Sequence, residues 1–202
     1  MKQIPTFVWF IVPTLILVIV GVWFFSRNPN LGAKDEDLGG KAPVSQPVEG
    51  TVEYDIVGRN HIAQGTAGSG YNSNPPSSGP HWPSPVKNGI YDSSLPDEQL
   101  IHNLEHGHVW IAYKPCEPGL QSSQASPDAG LKPCAPDEVK AKLKEIVEKD
   151  DWKVVLEPRD KNETMIALVS WGRVLKMDQF DEAKVKDFIK TYRNRGPENT
   201  PD

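Results

Sequence analysis

Three of the chain's five histidines fall within the seven residues "HNLEHGH" at 102–108, with Glu105 among them. The other two, His61 and His81, lie upstream, and the 94 residues after His108 contain none. Chemistry that runs on imidazole is therefore confined to 61–108. In a helix over 96–106, His102 and His106 stand four apart on one face, and Glu105, three after His102, lies close to that face. Two imidazoles at this spacing can chelate one metal ion. His81 sits in a loop that Pro80 and Pro83 stiffen. Three imidazoles, with Glu105 as a fourth ligand or as acceptor for an imidazole N–H, suit copper or zinc. The predicted metal site is thus His81, His102, His106 and Glu105, in a carrier or buffer of copper or zinc. Only Met165 and Met177 offer soft thioether sulfur in the same domain.

Two other readings use the same residues. In the plain structural one, His102 caps core packing, His106 bonds the carbonyl end of its helix and His81 stacks on Trp82, so the chain is a non-catalytic interaction module. In the other, "HNLEH" fits H-x-x-E-H, a metal-dependent hydrolase motif in which His102 and His106 bind zinc and Glu105 is the catalytic base. That motif needs a further acidic ligand downstream, for which Glu138, Glu145, Glu148 and Glu182 are the arithmetic candidates. His108 follows a glycine that ends the helix and shares a strand face with Trp110 and Ala112. His61 stands at a strand end. Neither is placed in the ligand set.

The elements that must hold this site read as α+β. "TVEYDIVG" (51–58) alternates as a strand, and residues 59–94, dense in Gly, Pro, Ser and Asn, form a long loop. A loop of that length inside a compact domain is functional or disordered, and the islands "GPHWP" and "GIY" indicate order around something. The helix over 96–106 has Ser93 or Ser94 as its cap, Pro96 in its first turn and Asp97 and Glu98 against the dipole. "HVWIAY" (108–113) is a strand, and "APDEVKAKLKEIVEKD" an amphipathic helix burying Val139, Leu143, Ile146 and Val147. "WKVVLEP" (152–158) and "TMIALVSWG" (164–172) are expected to pair as an antiparallel hairpin. A last helix buries Val185, Phe188, Ile189 and Tyr192 and stops at Gly196-Pro197. The expectation is a mainly antiparallel sheet with about three helices on one side.

Upstream, residues 4–25 are twenty-two apolar or uncharged residues, long enough for a ~30 Å hydrocarbon core. A cleaved signal peptide is the competing reading, but its apolar region is usually shorter and ends in small residues, whereas this run ends in "FFSRNP". The domain plan is a transmembrane anchor over 1–27, a flexible linker over 28–50 reaching roughly 25–30 Å, and one domain over 51–198. Cys116 and Cys134 lie in the echoed phrases "KPCEP" and "KPCAP" at the feet of a Pro/Gly/Ser-rich loop. A disulfide between them, worth about 3 kcal/mol in the entropic account, places the domain outside the cytoplasm. A pair of free thiols is the alternative, and the spacing is not that of a zinc site. Without Lys2 and Arg27, 20 basic residues remain against all 27 acidic ones, which argues against nucleic acid as a partner.

"PPSSGPHWP" (75–83), "GIY" (89–91), "HNLEHGHVWIAY" (102–113), "LVSWGR" (168–173) and "FIKTYRNRGPE" (188–198) together resemble an uncharacterised bacterial family, domain of unknown function 3105. The resemblance implies an N-terminal membrane segment with one extracytoplasmic domain, and it carries no established activity over to this chain. It implies a signature of His81, His102, Glu105 and His106, with Gly79, Pro80, Asn103 and Gly107. His61 falls where members often carry histidine, His108 where they more often carry an apolar or small residue, and the cysteine loop lies outside the pattern.

Overall fold

The computed structural model describes residues 44–116, 133–198 and 200–201. Six strands form one mixed sheet: β1 (Thr51–Glu53), β2 (Gly89–Ile90), β3 (Val109–Tyr113), β4 (Val154–Pro158), β5 (Ile166–Ser170) and β6 (Arg173–Met177), in the order β1-β6-β5-β3-β4-β2. Three helices accompany it: α1 (Asp97–Glu105), α2 (Asp137–Lys149) and α3 (Glu182–Tyr192). The class is α+β.

β3 is the centre of this sheet, and each of its five residues is buried. Its alternation sorts the core into two. Val109, Ile111 and Tyr113 face a cluster with Leu143, Ile146 and Val147 of α2 and Val185, Phe188, Ile189 and Tyr192 of α3. Trp110 and Ala112 face the other cluster, with Leu100, Ile101 and Leu104 of α1 and Trp171. The helices therefore cover both faces of the sheet, correcting the expectation that they share one side. That division gives α1 a face of the sheet to itself, beside the long loop.

The expected hairpin of 152–158 with 164–172 does not form, because β3 lies between them. β3 pairs in parallel with β4, from Val109↔Val154 to Tyr113↔Pro158, and antiparallel with β5. A parallel neighbour requires a crossover, usually a helix, and α2 supplies it. β4 also starts later than expected, at Val154, after Lys153 takes a positive φ of 51°. The true hairpin is β5–β6, closed at Ser170↔Arg173 by Trp171-Gly172, with Gly172 at φ 70°. A two-residue loop of this kind needs positive φ, which glycine accepts readily. Two of the five strand pairings are parallel, so the sheet is mixed where a mainly antiparallel one was expected.

Smaller differences have local causes. β1 is three residues long, after which Tyr54 N–H donates to the Gly172 carbonyl. Pro96 occupies the N-cap of α1 without a side-chain cap, and neither Ser93 nor Ser94 performs that role. α3, capped by Asp181 through the Lys184 N–H, ends at Tyr192, and the chain turns through Asn194 at φ 58° instead of running on to Gly196. Residues 44–50, read as linker, lie against the domain: Val44 and Val48 pack on the core, and Val48 N–H donates to the Tyr192 hydroxyl. The Cys116–Cys134 disulfide is present. Among the described residues no helix is long and apolar enough to cross a membrane. The apolar run at 4–25 and the anchor expected over 1–27 lie outside the described residues.

Candidate metal centre

α1 carries the inner half of the site. Asp97 and Glu98 suit its positive N-terminus, and Leu100, Ile101 and Leu104 fix its rotation against the sheet. With that face buried, His102 and Glu105, at i and i+3, are turned together toward the long loop. Asn103, also buried, ties that loop down: its Oδ1 accepts from Val86 N–H at 2.9 Å and its Nδ2 donates to Val86 O at 2.8 Å.

The end of α1 is held by the C-terminal segment. At Gly107, with φ 84°, an added Cβ would stand 2.8 Å from Asn194 Cα, and a Cβ on Gly196 would fall on the Glu105 carbonyl oxygen and the Gly107 nitrogen. Asn194 N–H donates to Gly107 O (2.6 Å) and Glu198 N–H to Glu105 O (3.0 Å). The buried Lys153 ammonium donates to His106 O (2.9 Å), Asn194 Oδ1 (3.1 Å) and Thr200 O (2.7 Å). Helix-end carbonyls that would otherwise lack partners are thus satisfied by a strap that also delivers the Glu198 carboxylate.

The loop supplies the outer half. An isolated parallel bridge joins His61 and His81, with Ile62 N–H donating to His81 O (2.8 Å) and His81 N–H to Asn60 O (3.1 Å). Gly79, at φ 126°, lets the chain enter this bridge against the Tyr71 ring, whose hydroxyl donates to Pro80 O. Two histidines twenty residues apart are set side by side by backbone pairing.

Four donors converge. His61, His81, His102 and Glu105 each offer one ligand atom, and all four atoms lie within 4.8 Å of one another. From Glu105 Oε2 the distances are 2.9 Å to His81 Nε2, 3.8 Å to His61 Nε2 and 4.0 Å to His102 Nδ1. Bonds of ~2.0–2.1 Å in a tetrahedral site place donors roughly 3.3 Å apart, so closing on an ion takes shifts of under about 1 Å. Glu105 Oε1 is taken by Arg59 Nε at 2.9 Å, which leaves Oε2 as the oxygen that faces the imidazoles.

The tautomers fit the same conclusion. His81 Nδ1 is 2.7 Å from the Gly79 carbonyl oxygen, which can only accept, so Nδ1 carries the hydrogen and Nε2 faces Glu105. A ligating histidine that donates its other N–H to a backbone carbonyl is the usual outer support of a metal site. Two acceptors 2.9 Å apart, Nε2 and Oε2, need a positive centre between them: a proton, or a metal ion in its place. His102 Nδ1 is buried and, among the described residues, has no hydrogen-bond partner. Burial, with His106 and His81 adding to it, holds the His102 imidazole neutral down to about pH 4, which keeps its lone pair available. Burial alone would raise the Glu105 carboxyl, but the hydrogen bonds with His81 and Arg59 outweigh it and bring it down to about 2. At neutral pH the neutral His102 imidazole therefore stands beside an anionic Glu105 carboxylate, and imidazole with carboxylate is a donor type that could hold a divalent transition metal.

Of the residues expected as ligands, His81, His102 and Glu105 meet in this cluster, whose fourth member is His61; His106 is not among the four. His106 is the C-cap of α1. Its ring remains 4.5 Å from that of His102 between centroids, but its Nε2 faces Glu198 Oε2 at 3.3 Å. Leaving the helical path at the cap turned this imidazole toward the strap. Local spacing does not mark His61, because its partner is set by a non-local bridge to His81, although its place in the histidine-bearing window is a signal. Arg59 and Glu198, joined at 3.5 Å, were not anticipated either. In the H-x-x-E-H reading Glu105 stands free as a base beside two ligating histidines, whereas here it is bound among the donors. His108 is buried away from the cluster, with Nε2 2.7 Å from Asn88 Oδ1.

The profile of the family described as protein of unknown function (DUF3105) matches residues 61–125 and 131–202, more than half the chain, and the chain belongs to that family. No curated protein and no solved structure is significantly similar to it.

Proposed function

We propose that this member of the family is a binder of a divalent transition-metal ion, zinc or copper(II), held by His61 Nε2, His81 Nε2, His102 Nδ1 and Glu105 Oε2. One observation carries the reading: four donor atoms from three separate stretches of chain lie within 4.8 Å of one another, around a carboxylate 1% exposed. Burying that much titratable chemistry costs stability unless it is compensated, and an ion at its centre supplies the compensation. Imidazole and carboxylate without thiolate or thioether favour zinc or copper(II) over copper(I). Met177 is buried in the core between the sheet and α3, and Met165 packs against the same cluster, so neither serves as a soft ligand.

The role proposed is carriage or buffering of the ion by a tethered domain. The uncharged run at 4–25 supports an anchor, and the Cys116–Cys134 disulfide supports a domain facing an oxidising compartment. Elemental analysis of the natively purified full-length chain tests the binding reading. One zinc or copper ion per chain is expected, and none in His81→Ala. Affinity for both ions weaker than about 10 μM (roughly −7 kcal/mol) would refute it.

A further inference from the structure

Resting on that reading, we propose that His61 is the exchangeable ligand of the centre. The ion enters and leaves at its position, passing to an acceptor that presents imidazole.

The four donors are not equivalent. The His61 side chain is 48% exposed, against 0% for His81, 6% for His102 and 2% for Glu105. Three of them are also anchored beyond the cluster. His81 is fixed through Nδ1 on the Gly79 carbonyl, Glu105 through Oε1 on Arg59, and His102 by a helix whose end the strap and Lys153 hold. Among the described residues the His61 ring makes no hydrogen bond: Glu105 Oε2 stands 3.8 Å from its Nε2, and the rings of His81 and His102 lie 4.9 and 5.1 Å away between centroids. Its backbone sits in one isolated bridge, followed by the exposed stretch 63–67. Rotation of the His61 side chain toward solvent breaks no hydrogen bond among the described residues, whereas withdrawal of any other donor does, or disturbs α1.

Four protein donors fill a tetrahedral shell, so an ion leaves quickly only by ligand substitution, the incoming donor adding through a five-coordinate arrangement that zinc tolerates. The leaving donor must be one that water can receive, and His61 is the one at the surface. In the exchange the metal–Nε2 bond to His61 breaks and an acceptor imidazole nitrogen forms the replacing bond. Both ligands are neutral, so charge is conserved and no electron moves. A neutral incoming imidazole meets the Arg59 guanidinium and the Glu198 carboxylate at the rim without net repulsion, as these two already pair with each other. Thiols are the weaker candidates where disulfides persist.

The test uses Co(II) as a visible-absorbing probe on the full-length chain. His61→Ala is expected to bind one Co(II) more weakly than the wild type, by at least about 10–100-fold, since the loss of even an outer support of a metal site costs that much. Millimolar imidazole is expected to restore the wild-type absorption spectrum to this variant and to leave His81→Ala without bound ion. Should His81→Ala fail to fold, His102→Leu serves as the buried-ligand control. Transfer of Co(II) from the wild type to a histidine-rich peptide is expected to quicken in proportion to peptide concentration, and to be faster still from His61→Ala. A His61→Ala chain that loses Co(II) as completely as the buried-ligand variant, or imidazole rescue of both alike, overturns the port while leaving the metal centre standing. Failure of the wild-type chain to bind Co(II), zinc or copper(II) overturns the centre itself, and the port with it.

Discussion

His102→Leu separates a ligand from a packing histidine, because the two roles give opposite signs in the metal-free protein. Wild-type His102 is 5% exposed on α1, and among the described residues its Nδ1 has no hydrogen-bond partner. A buried polar atom left unpaired costs about 1–3 kcal/mol, and leucine removes that cost. Against it stands the misfit of a different side-chain shape, usually below about 1.5 kcal/mol for apolar replacements of similar volume. Leucine also favours the helix by a few tenths of a kcal/mol over histidine. The metal-free variant is thus expected to lie between unchanged and about 2 kcal/mol more stable than the wild type. At roughly 2–4 °C per kcal/mol for a domain of this size, its Tm should rise by at most about 4–8 °C. Zinc present at about a hundred times Kd stabilises a binding protein by about 2.7 kcal/mol, or roughly 5–11 °C on the same scale. The wild type should show that increment and His102→Leu should not. Thermal melts of both full-length chains, in chelator and in excess zinc, read the four values. A metal-free His102→Leu melting more than about 4 °C below the wild type would mean that the ring is there to pack. A retained zinc increment would mean that it is not a ligand.

Three further outcomes are expected. Glu105→Gln removes the anionic donor and weakens the link to Arg59. Zinc or copper binding should fall at least about 100-fold, and the metal-free chain should lose about 1.5–3 kcal/mol, the usual worth of hydrogen bonds to a charged group; titration calorimetry and urea melts check the two effects. Gly196→Ala puts a Cβ on the Glu105 carbonyl oxygen, so the strap must lift. A loss of about 1–3 kcal/mol should come with weaker metal binding, and an unchanged Tm refutes the contact. Glu157, fully buried on β4, accepts from Leu95 N–H and Trp110 Nε1, and burial outweighs both bonds to push its carboxyl up to about 7, from 4.5. The folded chain therefore holds this proton more tightly than the unfolded one, and stability is lost as pH rises from about 4.5 through about 7, by about 3 kcal/mol. Glu157→Gln removes the slope, so the stability gap between variant and wild type, measured by urea melts near pH 5 and near pH 8, should change by that amount. A constant gap refutes it.

Local rules reached far into this molecule. His102 and Glu105 share a face because three residues of helix put them there, and the apolar rows of α2 and α3 bury the positions that their periodicity marks, except Val139, which is only partly buried. The dense Gly/Pro/Ser loop is ordered around His81, and Cys116 meets Cys134 across the loop between them. What escaped was the pairing of distant segments. Strand periodicity marks which residues are buried but carries no partner, so nothing local could tell that β3 would slip between β4 and β5, or that Arg173–Met177 would return as β6. The histidine cluster divides along the same line. Helical spacing nominated His106, but the cap of α1 and the strap turned it toward Glu198. His61 arrived instead, carried by a backbone bridge to His81 that only the folded chain can form. Spacing along a helix is a property of a few consecutive residues, whereas the meeting of a loop with that helix is decided by what the whole core will bury.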